Sequence, residues 1–439
     1  MKTANRPQPT QSQPTRPEQA RADFAKYASS VDRLPTLPAD RVNSFPLPRR
    51  WDGTRKTGWR KLSKLVLAGC LLAGMLPTLS TAEAAVTSYK FDFGGGAIEA
   101  GYTGVRAEDG YNVSKGYGFN TPANMRNVSA AGRGAGSDAV QFMTFGTKSS
   151  NTFNVDLPNG LYNVKVMLGN TGRSSVAAEG VYQVINMTGN NVTDEFQIPV
   201  RDGQLNLLVT EGKVGGAFTL SSLEISQLST NPVTRPTIYV GGDSTVSNYY
   251  PLATSIQGGW GQMLQQYINP ADYVVRNFAS GGQIARGFRN DGQLEAILQY
   301  IKPGDYFILQ LGINDTNPKN NETEAEFKEI MRDMVRLVKS KGATVILSTP
   351  QGRATDFNSA GVHNAEGRWY RQATIALAAE EGVRLIDLNV ISSAYFTSIG
   401  PAATLALYMD GDSLHPNHAG ALELARLLTE EMKRQGLYR

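Results

Sequence analysis

Hydrophobic residues in the second half of the chain form short continuous runs that alternate with longer segments of helical spacing. The runs Thr237–Val240, Tyr306–Leu311 and Thr344–Ser348 predict buried strands, and Glu322–Lys341 predicts an amphipathic helix. Continuous apolar strands that alternate with helices are typical of a parallel sheet covered on both faces. Further predicted elements are the helices Trp260–Ile268, Gln293–Ile301, Arg368–Glu381 and Ala419–Arg434 and the strands Tyr273–Phe278 and Val383–Asp387. We therefore expect an α/β domain over residues 237–439.

The preceding residues, 86–229, have a different pattern, in which apolar and polar residues alternate in short runs. The predicted strands are Ser88–Phe93, Ala139–Thr144, Thr152–Leu157, Gly160–Leu168, Val181–Met187, Thr193–Pro199, Gln204–Val209 and Leu223–Ile225. Turn residues separate these strands, with a turn predicted at Asn170-Thr-Gly172 and a hairpin at Asn159-Gly160. Short strands at this spacing predict an antiparallel β-sandwich. The proline-containing residues 230–236 predict a linker between the two domains.

The first 85 residues contain two segments of different composition. Residues 1–60 are rich in Pro, Arg, Gln and Ser without apolar periodicity, which predicts a disordered basic leader. Residues 61–85 then combine a positive flank, the apolar run Leu65–Leu79 and a small-residue site at Ala82-Glu83-Ala84. This combination predicts a secretory signal peptide and export to a bacterial periplasm or the extracellular space.

Two alternatives to a cleaved signal peptide remain open at this stage. The sequence Leu67-Ala-Gly-Cys70 is similar to a lipoprotein box, which would anchor the protein through a lipidated Cys70. The apolar run could also remain as an uncleaved anchor, although it is short for a membrane span. We expect no stable membrane association.

Charge is distributed unevenly along the chain, and this changes the interpretation of its basic isoelectric point. Residues 1–84 carry 14 Lys/Arg against 6 Asp/Glu, whereas residues 85–439 carry 29 against 33. The part predicted to be exported is mildly acidic, so we expect no nucleic-acid partner. Because Cys70 is the one cysteine, the chain has no intrachain disulfide.

A candidate nucleophile follows the first predicted strand of the α/β domain, at Gly242-Asp243-Ser244. A serine at a strand-to-helix junction exposes its hydroxyl group, although a helix cap is the alternative role for such a residue. The sequence Gly-x-Ser-x-Gly is absent around Ser244, so the nucleophile elbow of the α/β-hydrolases does not apply.

Three further polar motifs supply partners for Ser244. Gly282 follows the next strand and could present an unobstructed backbone N–H, and Asn314 could donate a hydrogen bond to an oxyanion. Asp412 and His415 are close enough for one loop to present both, with Asp412 orienting the imidazole and His415 accepting the serine proton. We expect each motif to follow its own strand, because sites in such folds lie at the carboxyl ends of the strands.

Together these motifs resemble the four sequence blocks of SGNH (GDSL-like) hydrolases over residues 237–432. The resemblance implies a flavodoxin-like three-layer α/β/α domain that needs no metal or other cofactor. It also implies an oxyanion hole formed by the N–H groups of Ser244 and Gly282 and the side-chain amide of Asn314. The chain further resembles the rhamnogalacturonan acetylesterase group, whose bacterial members carry a galactose-binding-like sandwich before the hydrolase domain. In the hydrolase domain the similar segments are Gly259-Trp-Gly261, Gly282–Phe288 and Asp412–Asn417. In the sandwich they are Tyr89–Gly94, Gly101–Thr103 and Gly116–Phe119. Ile284 departs from the small polar residue of many relatives, which bears on fine specificity.

The motifs thus predict a secreted, monomeric serine esterase, and the resemblance implies that it removes O-acetyl groups from plant cell-wall polysaccharide, foremost pectic rhamnogalacturonan. Acetylated xylan or another O-acetylated glycan is the alternative substrate, and a carbohydrate-binding protein with an inactive hydrolase domain is the alternative of another class. A metal site at Asp410, Asp412, His415 and His418 is a further alternative. The segment with Arg353, His363, Arg368 and Trp369 either lines a substrate cleft or forms a solvated loop.

Overall fold

The computed structural model describes residues 87–142, 151–211, 218–249 and 256–439. The predicted leader of residues 1–60 and the predicted signal peptide of residues 61–85 lie outside these ranges. Within them, none of the helices is both long enough and apolar enough to cross a membrane.

The described part of residues 88–229 folds into two sheets. Their strands are β1 (Ser88–Phe93), β2 (Thr103–Val105), β3 (Tyr117–Phe119), β4 (Met125–Ser129), β5 (Asp138–Phe142), β6 (Phe153–Asp156), β7 (Gly160–Ala178), β8 (Val181–Val200), β9 (Gln204–Glu211), β10 (Thr219–Leu220) and β11 (Ser222–Ser229). The larger sheet has the order β2-β1-β11-β7-β9-β6-β3 with β8 paired to β7, and the smaller sheet has the order β10-β5-β4.

The two sheets share one apolar core, which is rich in aromatic side chains. Phe93 and Phe153 pack edge-to-face within the larger sheet, with ring centroids 4.9 Å apart. Phe119 packs in the same manner on Phe142 of the smaller sheet, at 5.9 Å, and so joins the two layers. This architecture confirms the predicted β-rich N-terminal domain.

Several details of the sandwich differ from the prediction. The turn predicted at Asn170-Thr-Gly172 lies inside β7, because pairing with β8 satisfies the backbone there and register shifts near Gly172 absorb the irregularity. For the same reason, the two strands predicted between Val181 and Pro199 are the single strand β8. The hairpin predicted at Asn159-Gly160 is wrong, since β6 pairs with β9 and β3 rather than with β7. The paired strands of the described sandwich are antiparallel as predicted, except for β1 and β2, which are parallel.

Residues 237–439 form a parallel sheet flanked by helices. The strands are β12 (Thr237–Gly242), β13 (Val274–Asn277), β14 (Tyr306–Gln310), β15 (Thr344–Ser348) and β16 (Arg384–Ile386). The helices are α1 (Trp260–Met263), α2 (Ala285–Asn290), α3 (Gln293–Tyr300), α4 (Glu324–Ser340), α5 (Arg371–Glu381), α6 (Leu388–Leu405) and α7 (His418–Arg434). The strand order β13-β12-β14-β15-β16 is that of flavodoxin-like folds, in which the first strand lies between the second and the third.

Local sequence accounts for the regular elements of this domain. All six residues of β12 are buried, as a central strand covered on both faces requires. Helix α4 begins with a capping box between Thr323 and Glu326, and α5 ends at Gly382 in the left-handed conformation. Helices α2 and α6 were not predicted, and α6 is kinked at Gly400 and Pro401.

Apolar side chains cover the sheet on both faces. One cluster joins the sheet to α2, α3, α4 and α5, and another joins it to α1, α6 and α7. The predicted three-layer α/β/α arrangement is therefore confirmed. Its strands β12 and β14 adjoin the point where the strand order reverses, which is where ligands bind in doubly wound sheets.

Candidate active site

Ser244 lies two residues beyond the end of β12, at the carboxyl edge of the sheet. It belongs to a turn, in which the N–H groups of Val246 and Ser247 both donate to the carbonyl oxygen of Asp243 at 3.1 Å. The predicted strand-to-helix junction is thus a strand-to-turn junction, because residues 243–249 do not continue into a helix. The hydroxyl oxygen of Ser244 lies 2.9 Å from Nε2 of His415.

Asp412 and His415 occupy one loop and contact each other directly. Oδ2 of Asp412 lies 2.6 Å from Nδ1 of His415, and Oδ1 accepts the N–H groups of Leu414 and His415 at 2.8 and 3.2 Å. Burial opposes ionisation of Asp412, but the hydrogen bonds from His415 and Leu414 outweigh it and hold its pKa below the usual value. Since an ionised carboxylate only accepts, Nδ1 carries the proton of a neutral imidazole and Nε2 presents its lone pair to Ser244.

The loop that carries Asp412 and His415 does not follow a strand, contrary to the sequence prediction. It connects α6 to α7, and the last strand, β16, ends at Ile386. Two features hold this loop at the site: Asn417 caps α7 by accepting the N–H of Gly420 at 3.0 Å, and the N–H of Ala354 donates to the carbonyl of Ser413 at 2.8 Å.

The three predicted oxyanion-hole residues lie in loops at this same edge. Among the described residues, no acceptor contacts the backbone N–H of Ser244 or of Gly282, so both are available to a ligand. Gly282 has a φ of +78°, a conformation that favours glycine. The side-chain amide of Asn314 donates to the carbonyl of Gln283 at 3.1 Å, which leaves its second N–H available.

A buried hydrogen-bonded network supports the turn of Ser244 from below. Oδ1 of Asp243 accepts the N–H and the hydroxyl of Thr245, both at 2.9 Å. Gln310 donates to the Thr245 hydroxyl and accepts from the indole of Trp260, both at 3.0 Å. Burial raises the pKa of Asp243 to about 6, although the hydrogen bonds from Thr245 lower it in part. The network fixes the backbone on both sides of Ser244, and the hydroxyl of Tyr249 adds a 2.7 Å hydrogen bond to the Ser244 carbonyl.

Asp315 joins the loops of Gly282 and Asn314. Its carboxylate accepts the N–H of Ala285 at 2.6 Å and the N–H of Gly312 at 2.8 Å. The buried Glu322 lies beside it, and burial together with the neighbouring Asp315 raises the pKa of Glu322 to about 7. Arg286 offers only a distant countercharge to Glu322, at 3.8 Å. Asp315 therefore sets the spacing between the loops of Gly282 and Asn314, the two loops with predicted oxyanion donors.

The alternative metal site is not assembled. Throughout the described part of the chain, no group of three or more His, Cys, Asp or Glu side chains is placed to hold a metal ion. His363 is a core residue rather than a cleft residue, with 3% of its surface exposed. Its Nδ1 contacts the Ser393 hydroxyl and its Nε2 donates to the Arg353 carbonyl at 2.8 Å, and burial lowers its pKa.

Several residues of the site carried no assigned role in the sequence. Asp315 belongs to the Gly312-Ile-Asn314-Asp315 motif, and its position after the candidate donor was the available signal. The carbonyl of Gln283 accepts from Asn314, and the hydroxyl of Tyr249 donates to the Ser244 carbonyl. Both contacts involve backbone atoms that only the fold brings into place, so no sequence pattern indicates them.

A serine hydroxyl in contact with a histidine, itself held by an aspartate, is the arrangement that serine hydrolases use for nucleophilic attack, and here it lies at the carboxyl edge of a doubly wound sheet. Residues 240–422 match the GDSL-like lipase/acylhydrolase family, and residues 89–226 match the beta-agarase/YXIM esterase-like, galactose-binding domain-like family.

Similar proteins agree with these matches. The uncharacterized esterase YxiM of Bacillus subtilis (strain 168) is 71% identical over 367 residues, which are 84% of this chain and 96% of that protein. An X-ray structure of YxiM from Bacillus subtilis has a TM-score of 0.78 at 72% identity and covers 80% of this chain and 99% of that chain. Rhamnogalacturonan acetylesterase RhgT of Bacillus subtilis (strain 168) is 32% identical over 214 residues, 46% of this chain and 90% of that protein. The chain belongs to the GDSL-like lipase/acylhydrolase family and is a carboxylic ester hydrolase with an N-terminal galactose-binding-like domain.

Proposed function

We propose that this ester hydrolase removes O-acetyl groups from a plant cell-wall polysaccharide, foremost rhamnogalacturonan, with Ser244 as the nucleophile. The observation that carries the proposal is the hydrogen-bonded chain from Ser244 through His415 to Asp412. The substrate follows from similarity to a relative named rhamnogalacturonan acetylesterase, which matches the hydrolase part of this chain.

Acylation begins when Oγ of Ser244 attacks the acetyl carbonyl carbon while Nε2 of His415 takes the hydroxyl proton. The resulting imidazolium is stabilised by the Asp412 carboxylate, which lies 2.6 Å from Nδ1. The oxyanion accepts hydrogen bonds from the N–H groups of Ser244 and Gly282 and from the amide of Asn314. Collapse of this intermediate breaks the bond to the sugar oxygen, which leaves with the proton from Nε2.

Deacylation repeats these steps with water. Water gives a proton to Nε2 and attacks the acetyl group on Ser244, and the serine oxygen then recovers the proton as acetate leaves. Each proton transfer in both half-reactions passes through the imidazole of His415.

The proposal includes export, which rests on the signal peptide predicted at residues 61–85. N-terminal sequencing of protein recovered from the culture medium or periplasm tests it. Export is supported by a mature N-terminus close to Ala84, and it is contradicted by full-length protein retained in the cytoplasm.

Acetate release from a panel of acetylated polysaccharides tests the substrate. We expect the largest kcat/KM on acetylated rhamnogalacturonan, with acetylated xylan and acetylated mannan as comparisons. A clear preference for acetylated xylan would contradict rhamnogalacturonan as the substrate but would still support an acetylesterase. Glycan binding without any acetate release would instead favour a binding protein.

A further inference from the structure

Two arginines flank the indole of Trp369, and they differ in how their charge is compensated. Their guanidinium carbons lie 5.8 Å (Arg353) and 5.5 Å (Arg368) from the ring centroid. Arg368 forms a two-point ion pair with Asp356, in which Nε and Nη2 each donate to one carboxylate oxygen. The guanidinium of Arg353, by contrast, has no carboxylate or hydrogen-bond acceptor among the residues that the structure describes.

The position of Arg353 is fixed by four contacts of its own backbone and its neighbours. Its N–H donates to Asp356 at 2.9 Å, and its carbonyl accepts from His363 at 2.8 Å. The carbonyl of Gly352 accepts from the Tyr408 hydroxyl at 2.7 Å, and the N–H of Ala354 donates to Ser413. These contacts fix the backbone at Arg353, and the ring of Trp369 restricts its guanidinium, so the side chain loses less entropy when it binds a ligand.

The segment around this arginine contacts two of the loops that form the candidate active site. On one side, Ala354 is hydrogen-bonded to Ser413, which is the residue after Asp412. On the other side, the carbonyl of Trp369 lies against Gly312, so closely that a Cβ at that glycine would collide with it. Gly312 is two residues before Asn314, so the Arg353–Trp369 pair is connected on one side to the loop of His415 and on the other to the loop of Asn314.

We propose that Arg353 binds a carboxylate of the substrate, which makes it a specificity-determining residue for uronate-containing glycans. A guanidinium presents paired N–H groups that match a carboxylate in two parallel hydrogen bonds, and Trp369 holds its plane. The uronate would belong to a sugar next to the acetylated one, whose ester carbon reaches Ser244. This inference rests on the proposed acetylesterase function and adds the chemical group that selects the substrate.

The quantity that tests the inference is a ratio of Michaelis constants. KM is measured on acetylated rhamnogalacturonan and on the same polymer after its uronate carboxyl groups have been reduced to alcohols. We expect wild type to show a KM about 10- to 100-fold lower on the native polymer, the range of one charge-assisted hydrogen-bonded pair. In Arg353→Gln the ratio should approach one. In Arg353→Lys it should lie between one and the wild-type ratio, because lysine keeps the positive charge but lacks the planar pair of N–H donors.

The matched control is Arg384→Gln, which removes the same charge at the amino-terminal edge of the sheet. Arg384 begins β16 and is exposed, so this variant should keep the wild-type ratio. Melting curves of all variants establish that each is folded. An Arg353→Gln protein that keeps the wild-type ratio overturns the inference, as does a ratio near one in wild type.

A second readout separates this inference from the proposed function. Hydrolysis of p-nitrophenyl acetate is measured with trigalacturonate as inhibitor and with its carboxyl-reduced form as comparison. Inhibition by trigalacturonate that is lost in Arg353→Gln supports the anion site even if the native polymer releases no acetate. If the polymer releases acetate and neither Arg353→Gln nor carboxyl reduction changes KM, the carboxylate-binding role of Arg353 is contradicted and the proposed acetylesterase function stands.

Discussion

The Oδ2 atom of Asp412 lies 2.6 Å from Nδ1 of His415, and this contact fixes which imidazole nitrogen faces Ser244. The opposite nitrogen, Nε2, lies 2.9 Å from the serine hydroxyl. Because the pKa of Asp412 is held below its usual value, its carboxylate is ionised and holds the proton of the neutral imidazole on Nδ1.

Replacing Asp412 by asparagine should therefore reduce kcat for p-nitrophenyl acetate by about 10²–10⁴-fold, because the amide can hold the ring in the wrong tautomer. KM should change far less, since Asp412 does not touch the ester. The exposed Asp410→Asn is the matched control and should remain close to wild type. An unchanged kcat in Asp412→Asn would remove Asp412 from the proton relay.

Replacing Asn314 by alanine should reduce kcat by about 10²–10³-fold, the usual effect of one lost oxyanion donor. Asn231→Ala, in the exposed linker before β12, is the control for the same chemical change away from the site. Because Asn314 also donates to the Gln283 carbonyl, a melting curve is needed beside the kinetics. A loss that appears only in KM would assign Asn314 to substrate binding instead.

Replacing Glu322 by glutamine should stabilise the protein more at high pH than at low pH. The carboxyl has a pKa near 4.5 in the unfolded chain and about 7 in the folded protein, because burial penalises its charge. As pH rises between these values the unfolded chain releases a proton that the folded protein retains, so the wild type loses stability across this window. Glutamine does not titrate and avoids this loss, which we place at about 1–3 kcal/mol.

Thermal melting of Glu322→Gln and wild type from pH 5 to pH 8 measures this difference. The melting temperature of Glu322→Gln minus that of wild type should increase as pH rises to about 7 and should stay constant above that pH. The exposed Glu295→Gln should show a constant gap throughout. A constant gap for Glu322→Gln would mean that Glu322 is ionised in the folded protein already at pH 5.

The sequence predicts the α/β domain well because its strands are continuous apolar runs, and β15 was predicted with its observed bounds, Thr344–Ser348. It predicts the sandwich less well because long-range pairing decides the course of β7 and β8 through residues such as Gly172. Local turn preference at Asn159-Gly160 does not reveal that β9 pairs with β6. Strand pairs distant in sequence leave no local pattern.

The candidate site divides in the same way. Ser244, Gly282, Asn314, Asp412 and His415 lie in short polar motifs that a family resemblance can mark. The loop between α6 and α7 could not be placed from its sequence, because its position depends on the packing of α7 and on Ala354. The uncompensated charge of Arg353 is likewise visible only once Arg368 and Asp356 are seen to pair.

The most direct test of the account is the site of covalent labelling by a fluorophosphonate, which reacts with activated serine hydroxyl groups. Peptide mapping by mass spectrometry should find one adduct, on Ser244, whose yield equals the fraction of esterase activity lost. Ser244→Ala should take up no label and release no acetate, while its melting curve stays close to wild type. Full labelling elsewhere in the chain, or full activity in folded Ser244→Ala, would contradict the assignment of Ser244 as the nucleophile.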